Sequence, residues 1–245
     1  MPIRLYTIPL SHPSLAARGM LERKGLDFEV VELLGGAHPA QLFAIGFRKP
    51  TVPAMKLADG ERVQGSLAIA HALERVAPEP SLYPADPELR RAAEAAEKWG
   101  EGVLQPVPRR LIRWGLGHHL RQRQWFAREA TPLPAAPLVG ALLTPVVPIF
   151  VRQAKATDEA VRADLAALPG LLDEVDRLLG EGVIGGESLG AADYQIGSSL
   201  RMLSAFEDLG RMFAGRPADA FARRVVAQDP AVPAALPPDW LPKAA

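Results

Sequence analysis

The chain up to Ala77 alternates short β-type segments with helical segments, and this order limits the fold more than any other feature of the sequence. β-type runs lie at Arg4–Ile8 and Phe28–Leu34, and helical stretches follow them at Ser14–Lys24 and Pro39–Ile45. A hairpin and a third helix complete the pattern. The order strand, helix, strand, helix, hairpin, helix predicts one α/β domain with a mixed sheet.

The hairpin and the third helix are indicated by turn and capping residues. Asp59-Gly60 is a two-residue sequence of the kind that closes a β-hairpin, and it separates Ala54–Leu57 from Glu61–Val63. Ser66 has the side chain of a helix cap. Apolar residues recur at helical spacing after it, so we expect a helix that Ser66 caps.

Helical patterns alone occupy the remainder of the chain. Asp86-Pro87-Glu88 and Thr157-Asp158-Glu159 are strong helix starts, because the first residue can cap free backbone amides and the acids favour the positive end of the helix dipole. Pro169 predicts a kink or a restart in the helix after the second start. We therefore expect an α/β domain over residues 1–78 and an all-helical domain over residues 86–245.

Composition excludes several classes of protein. The 245 residues contain no cysteine, which rules out a disulfide framework, thiolate metal sites and a cysteine nucleophile. The 28 Lys and Arg residues balance 28 Asp and Glu residues, so the chain as a whole has no attraction for nucleic acid. Apolar residues make up 48% of the chain, which is enough for a buried core. We expect a globular protein without a nucleic-acid partner.

One uncharged segment, Ala130–Val151, is long enough to span a bilayer. Five prolines interrupt it, and each removes a backbone donor and a helical hydrogen bond that lipid cannot replace. We therefore favour a Pro-rich segment over residues 131–148 that links helices, and no membrane association. The N-terminal residues have no basic region followed by an apolar run, so we expect a cytoplasmic protein.

Three local motifs and their order resemble the glutathione S-transferase family. They are Ser11-His12-Pro13-Ser14 at the first strand–helix turn, Val52-Pro53 before the hairpin and Gly65-Ser66 at the third helix. The resemblance implies an α/β thioredoxin-like N-terminal domain followed by an all-α C-terminal domain. Further matches are Leu21–Leu26 to the family's LExKGL run, Thr51–Met55 to its KVPxL strand and Gly190–Asp193 to its (S/T)xAD helix start.

The resemblance places Ser11 where the family carries the side chain that activates the thiol of glutathione. A thiol of pKa about 8.5 is roughly 3% ionised at pH 7, and lowering its pKa by two units requires about 2.7 kcal/mol. A hydroxyl hydrogen bond to the thiolate, roughly 1.5–3 kcal/mol, and the helix dipole can supply this. We interpret Ser11 as that donor. The local sequence by itself favours helix capping by Ser11 or Ser14, and Tyr6 is a spare hydroxyl.

The resemblance also implies that Val52, Pro53, Gly65 and Ser66 bind glutathione. A cis peptide bond at Val52–Pro53 would leave the Val52 backbone free to pair with the cysteinyl part of the tripeptide. The Ser66 hydroxyl and amide, at a helix N-terminus, would hold the γ-glutamyl carboxylate. Gly65 stands where the family carries an acid that faces the ligand's ammonium group, and Gln64 is a weaker substitute.

For the glycyl carboxylate of glutathione, the resemblance implies His38, in a segment similar to the family's GEH sequence. Arg48 and Lys49 are alternatives, because Thr51 stands where a lysine is common. A loop histidine is more often simply solvated, and that interpretation of His38 stays open.

The resemblance therefore implies a glutathione transferase that conjugates glutathione, or a related low-molecular-weight thiol, to an apolar electrophile. It implies a homodimer with a role in detoxification, with glutathione as co-substrate and no metal. One alternative is a binding or interaction protein that keeps the fold without the activity, which Gly65 and Thr51 favour. Another is glutathione-dependent isomerisation, which Ser11 also permits. The absence of cysteine disfavours thiol exchange.

Overall fold

The computed structural model describes residues 2–130, 144–227 and 230–242. A four-stranded sheet and three helices form the N-terminal domain, in the order predicted from the sequence. The strands are β1 Ile3–Thr7, β2 Phe28–Glu32, β3 Ala54–Lys56 and β4 Arg62–Gln64, and the helices are α1 His12–Arg23, α2 His38–Ala44 and α3 Ser66–Val76.

The sheet is mixed, as predicted. Its strand order is β2-β1-β3-β4, with β1 parallel to β2 and β3 antiparallel to both β1 and β4. Side chains alternate along β1, so Leu5 packs with the apolar residues of α1 and α3 while Tyr6 lies on the opposite face. There the Tyr6 ring meets Phe47 edge to face at 5.4 Å. The Tyr6 side chain is therefore part of a core.

The second domain is helical. The isolated bridge between Phe206 and Val232 is its only β-type pairing within the described residues. The helices are α4 Pro87–Trp99, a π-helical turn Gly100–Leu104, α5 Pro106–His118, α6 Leu120–Ala130, α7 Val147–Gln153, α8 Asp158–Gly180, α9 Ala191–Ser204, α10 Gly210–Phe213 and α11 Pro217–Val225, followed by a 3-10 turn Pro238–Trp240.

The predicted helix starts are formed by the expected side chains. Asp86 accepts hydrogen bonds from the amides of Glu88 and Leu89, and the Thr157 hydroxyl accepts one from the amide of Ala160. Helix α8, which begins after Thr157, runs through Pro169 without interruption, so a restart at this proline is not observed.

Helix α9 joins the two domains. It packs on α1, where a Cβ atom at Gly19 would lie 2.5 Å from the Tyr194 ring, so only glycine permits this approach. It also packs on the π-helical turn, where Gly100 lies against Ile196. The N-terminus of α1 and the π-helical turn are thereby held on either side of one cleft.

None of the helices in the described ranges is long and apolar enough to cross a membrane. The uncharged segment falls mostly on residues 131–143, which lie outside the described residues. Its last part belongs to the short helix α7.

Candidate functional site

Two cavities open into the cleft between the domains. The first cavity, of about 320 Å³, lies between the N-terminus of α1 and helices α5 and α7. The second cavity, of about 300 Å³, lies between the loop before β3, the N-terminus of α3 and the π-helical turn. Pro13, Thr51, Val52 and Arg109 line both cavities, so a ligand in one would border a ligand in the other.

Ser11 lines the first cavity. It occupies the N-cap position of α1 through its carbonyl, which accepts the amides of Ser14 and Leu15 at 2.9 and 3.1 Å. Its hydroxyl makes no capping bond; instead the Ser14 hydroxyl donates to Ser11 Oγ at 2.8 Å. No described residue accepts the Ser11 hydroxyl hydrogen. Capping by the side chain, which the local sequence favours, is therefore wrong for Ser11.

The backbone that leads into Ser11 is unusual. Leu10 has φ of 61°, in the left-handed region that non-glycine residues rarely adopt. Lys155, with φ of 51°, lies on the wall of the same cavity. Such conformations cost of order 1–3 kcal/mol and concentrate at functional sites.

His12 is a buried member of the site that the sequence does not single out. Its Nε2 donates to the Gln105 carbonyl oxygen at 3.3 Å. Burial, with the nearby charge of Arg109, lowers the pKa of His12 to about 3, so the ring is neutral near pH 7. His12 thus fixes the start of α1 to the start of α5.

Gln105 connects the two domains at the end of the π-helical turn. Its amide donates to the Gly100 carbonyl at 2.8 Å, which is the wider hydrogen-bond spacing of a π-helix. The Gln105 side chain donates to Ser66 Oγ at 3.4 Å and accepts from Arg109 Nη2 at 2.9 Å. One buried side chain therefore orients both Ser66 and Arg109.

The second cavity brings together Val52, Pro53, Gly65 and Ser66. The Val52–Pro53 bond is cis, as the resemblance implies. Within the described residues no hydrogen bond involves the Val52 amide or carbonyl. Gly65 is the N-cap residue of α3, and Ser66 is its first helical residue, with its hydroxyl on Gln105. The prediction that Ser66 caps this helix is therefore wrong by one position.

A carboxylate from the other domain lies beside Gly65. Gly65 has φ of 97°, which strains any side chain, and a Cβ atom there would lie 3.8 Å from Glu101 Oε1. Glu101 belongs to the π-helical turn and lines the second cavity. A carboxylate from a distant part of the sequence thus lies on the same wall as Gly65.

Gln64 is not the substitute that the sequence suggests. Its Oε1 accepts the amides of Arg48 and Lys49 at 3.1 and 2.9 Å. Its Nε2 donates to the carbonyls of Lys49 and Thr51. Both ends of this side chain therefore hold the loop before β3, and neither is free for a ligand.

His38 lies on the wall of the first cavity and is buried at the start of α2. Its Nδ1 has no hydrogen-bond partner in the described part of the chain. Burial, and then the charge of Arg113, lower the pKa of His38 to about 4. Lys49 lines the second cavity, whereas Arg48 lines neither. His38 is thus neutral near pH 7 and has one unpaired polar atom.

Two arginines one helical turn apart on α5 line the first cavity. Arg113 lies over the Phe150 ring at 4.6 Å, and burial with the charge of Arg109 lowers the pKa of Arg113 to about 10. Arg109 is exposed to the open cleft. Nearby protein groups displace part of the water around its guanidinium, and this desolvation lowers the pKa of Arg109. The apolar residues of this cavity include Ile8, Leu10, Ile112, Phe126 and Phe150.

Known proteins match this chain most clearly in the domain that carries Ser11, Val52 and Ser66. The sequence profile of the glutathione S-transferase N-terminal domain matches residues 5–81. This part of the chain is similar to the glutathione S-transferase N-terminal domain. This match and the solved structure described below confirm the predicted fold class, a thioredoxin-like domain followed by an all-helical domain.

Two curated relatives and a solved structure are also similar to this chain. Maleylacetoacetate isomerase from Mus musculus is 30% identical over 131 residues, which are 52% of this chain and 60% of that protein. The enzyme of that name from Pseudomonas aeruginosa is 38% identical over 96 residues, which are 38% of this chain and 45% of that protein. The chain thus matches little more than half the length of these relatives at most.

A glutathione S-transferase from Rhodospirillum rubrum superposes with a TM-score of 0.58 at 21% identity, over 92% of this chain and 88% of that one. At this identity the likeness concerns the fold alone. It extends over both domains.

Proposed function

We propose that this protein is a glutathione transferase that binds glutathione in the second cavity and adds its thiolate to an electrophile in the first. The observation that carries the proposal is the Ser11 hydroxyl, which is free to donate and is held by Ser14 at 2.8 Å. Val52 lines both cavities, so a cysteinyl group paired with its backbone would lie at their border, close to the wall that Ser11 forms.

At the γ-glutamyl end, Ser66 and the backbone at the start of α3 would bind the carboxylate, as helix N-termini do for anions. Glu101 would face the ammonium group in place of an acid at position 65. This arrangement removes the main objection from the sequence, since a charged partner is present despite Gly65.

At the glycyl end we keep His38 as the proposed partner of the carboxylate, through its unpaired Nδ1. Lys49, which lines the second cavity, is the cationic alternative. The two differ in charge near pH 7, so the salt dependence of glutathione affinity would separate them.

Isomerisation is a second candidate, because the curated relatives are named maleylacetoacetate isomerase. The same thiolate would add to a carbon–carbon double bond, rotation would follow about the resulting single bond, and elimination would return the thiolate. Glutathione is consumed in conjugation and regenerated in isomerisation, so its consumption distinguishes the two reactions.

We also propose a cytoplasmic homodimer that acts on small molecules in detoxification. Sedimentation at several protein concentrations tests the dimer, and a single species with the mass of one chain would contradict it.

The decisive experiment is a calorimetric titration with glutathione, followed by conjugation and isomerisation assays. We expect binding at millimolar ligand or below and turnover that Ser11→Ala reduces. No binding at millimolar glutathione would reject the proposal and favour an interaction protein. Binding of glutathione without conjugation of any electrophile and without isomerisation of maleylacetoacetate would also favour an interaction protein.

A further inference from the structure

The first cavity carries positive charge that no acidic residue neutralises through an ion pair within the described part of the chain. Arg109, Arg113 and Lys155 line it, and none of its described lining residues is Asp or Glu. Neither Arg109 nor Arg113 forms an ion pair within the described residues, whereas Arg110, between them on α5, pairs with Asp164. Residues 131–143, which lie outside the described residues, contain no Asp or Glu; Asp229 is the one acidic side chain outside the described ranges. Arg109 donates to Gln105 and Arg113 lies over the Phe150 ring, but within the described residues neither charge is balanced by a carboxylate in an ion pair.

Such an arrangement is unfavourable in the absence of a ligand. Like charges one helical turn apart repel each other, and the partial burial of Arg113 reduces the screening of its charge by water. The pKa of Arg113 is lowered by burial and by Arg109, and the charges of Arg113 and Arg109 also help to lower the pKa values of His38 and His12. Glu101 offsets part of the charge of Arg109 only. A bound anion would relieve this repulsion.

We propose that the electrophile bound in the first cavity is an organic acid, whose carboxylate is held by Arg113 and Arg109 while its apolar part lies against Ile112, Phe126 and Phe150. This proposal rests on the proposed function and specifies its second substrate. The planar guanidinium of arginine can bind a carboxylate through two parallel hydrogen bonds. Arg113 lines only the first cavity, whereas Arg109 lines the second cavity as well. Substitution of Arg113 therefore tests the proposal.

Binding can be tested without any reaction. The probes are meta-nitrobenzoate and meta-nitrobenzamide, which have the same shape, differ in charge and lack a leaving group. We expect the wild-type protein to bind the benzoate at least tenfold more tightly than the benzamide in calorimetry. Arg113→Met should lower the affinity for the benzoate by about 10- to 100-fold. The benzamide should change by less than about threefold. Equal affinity of the wild-type protein for both probes would overturn the proposal.

Arg121→Met is the matched control, because it removes the same charge from an exposed residue of α6 outside the cavity. We expect it to leave the affinity for the benzoate unchanged. A loss as large as that of Arg113→Met would mean that only long-range charge matters, and would overturn the proposed contact. Arg113→Lys and Arg113→Gln, checked by circular dichroism, replace Arg113→Met if that variant does not fold; the lysine should restore part of the affinity and the glutamine none.

Turnover is tested with a matched pair of electrophiles, para-chloro-meta-nitrobenzoate and its benzamide, each corrected for its uncatalysed rate with glutathione. Arg113→Met should raise KM for the benzoate by about 10- to 100-fold and leave the benzamide nearly unchanged. If Arg113→Met instead weakens glutathione and leaves the benzoate unaffected, the arginine serves the tripeptide and the proposal is wrong. The nitrobenzoate titration decides the proposal even if the protein fails to bind glutathione.

Discussion

Replacing Ser11 by alanine removes one hydroxyl donor and the acceptor of the Ser14 hydroxyl. The side chain makes no capping bond, and the backbone carbonyl that accepts the amides of Ser14 and Leu15 is retained. Loss of the hydrogen bond from Ser14 typically costs about 1 kcal/mol, so we expect Ser11→Ala to lower the free energy of unfolding by about that amount. Any large loss of function would then belong to the site.

The magnitude follows from the donors around the proposed thiolate. Pro13 has no amide hydrogen, and the amides of Ser14 and Leu15 already bond to the Ser11 carbonyl, so the first turn of α1 offers few free donors. A hydrogen bond to a charged acceptor contributes roughly 1.5–3 kcal/mol. Because one pKa unit corresponds to about 1.4 kcal/mol, Ser11→Ala should raise the pKa of the bound thiol by about 1–2 units.

The assay is a pH titration of the complex with glutathione, followed by the ultraviolet absorbance of the thiolate and by kcat/KM for conjugation. Near pH 6 we expect kcat/KM of Ser11→Ala to be about 10- to 100-fold lower, and the difference should vanish above about pH 9, where the thiol ionises without help. Ser14→Ala is the matched variant: it keeps the Ser11 donor and loses only the bond that orients it, so we expect a smaller effect.

Two results would refute this reasoning. If Ser11→Ala leaves the pKa of the bound thiol unchanged, the hydroxyl is not its donor. If kcat/KM falls by the same factor at every pH, Ser11 positions a reactant and does not promote ionisation. A larger loss in Ser14→Ala than in Ser11→Ala would exchange the roles of the two serines.

Three further predictions concern acidic residues. Glu101→Gln should lower the affinity for glutathione by about 10- to 100-fold in calorimetry and leave the affinity for the analogue without the γ-glutamyl amine unchanged. Equal losses of affinity for both ligands would contradict a contact with the amine. Burial, with the charges of Glu101 and Glu94, raises the pKa of Glu97 from 4.5 to about 7 although Tyr83 donates to it, so the folded state binds the extra proton between these values. The free energy of unfolding should therefore fall by about 3 kcal/mol as pH rises through this window. In urea unfolding, the free energy of unfolding of Glu97→Gln should depend less on pH over the same range than that of the wild-type protein. Asp193→Ala should cost roughly 2–4 kcal/mol in the same unfolding assay, because its carboxylate accepts the amides of Gly185 and Gly190 at 2.6 and 2.7 Å; a cost below about 0.5 kcal/mol would contradict this capping role.

Features that depend on neighbouring residues in sequence were predictable. Asp86 and Thr157 cap their helices because the amides they accept lie within three residues. Asp59-Gly60 closes the hairpin for a similar reason: Gly60 adopts φ of 97°, and Asp59 accepts the amide of Glu61. In each case the hydrogen-bond partner lies within three residues in sequence, so the local sequence specifies it.

Errors arose where a local signal competed with a distant partner. Ser66 has the side chain of a cap, yet its hydroxyl pairs with Gln105 of the other domain. Gln64 has the polarity of a ligand-binding residue, but loop backbone occupies both of its ends. Residue type indicates what a side chain can bond to, and only the packing of distant segments decides what it does bond to.

The sequence by itself determined the order of elements, the mixed sheet, the helical second domain and the positions of Ser11 and Val52-Pro53 at the cleft, because each depends on short-range patterns or on motifs within one domain. The tertiary structure decided the charge of the site. Glu101 beside Gly65, Gln105 on Ser66 and Arg113, which has no ion pair within the described residues, all lie in the second domain. They reach the cleft only because α9 holds that domain against α1. Electrostatic interactions depend on distance in space, which no local pattern in the sequence specifies.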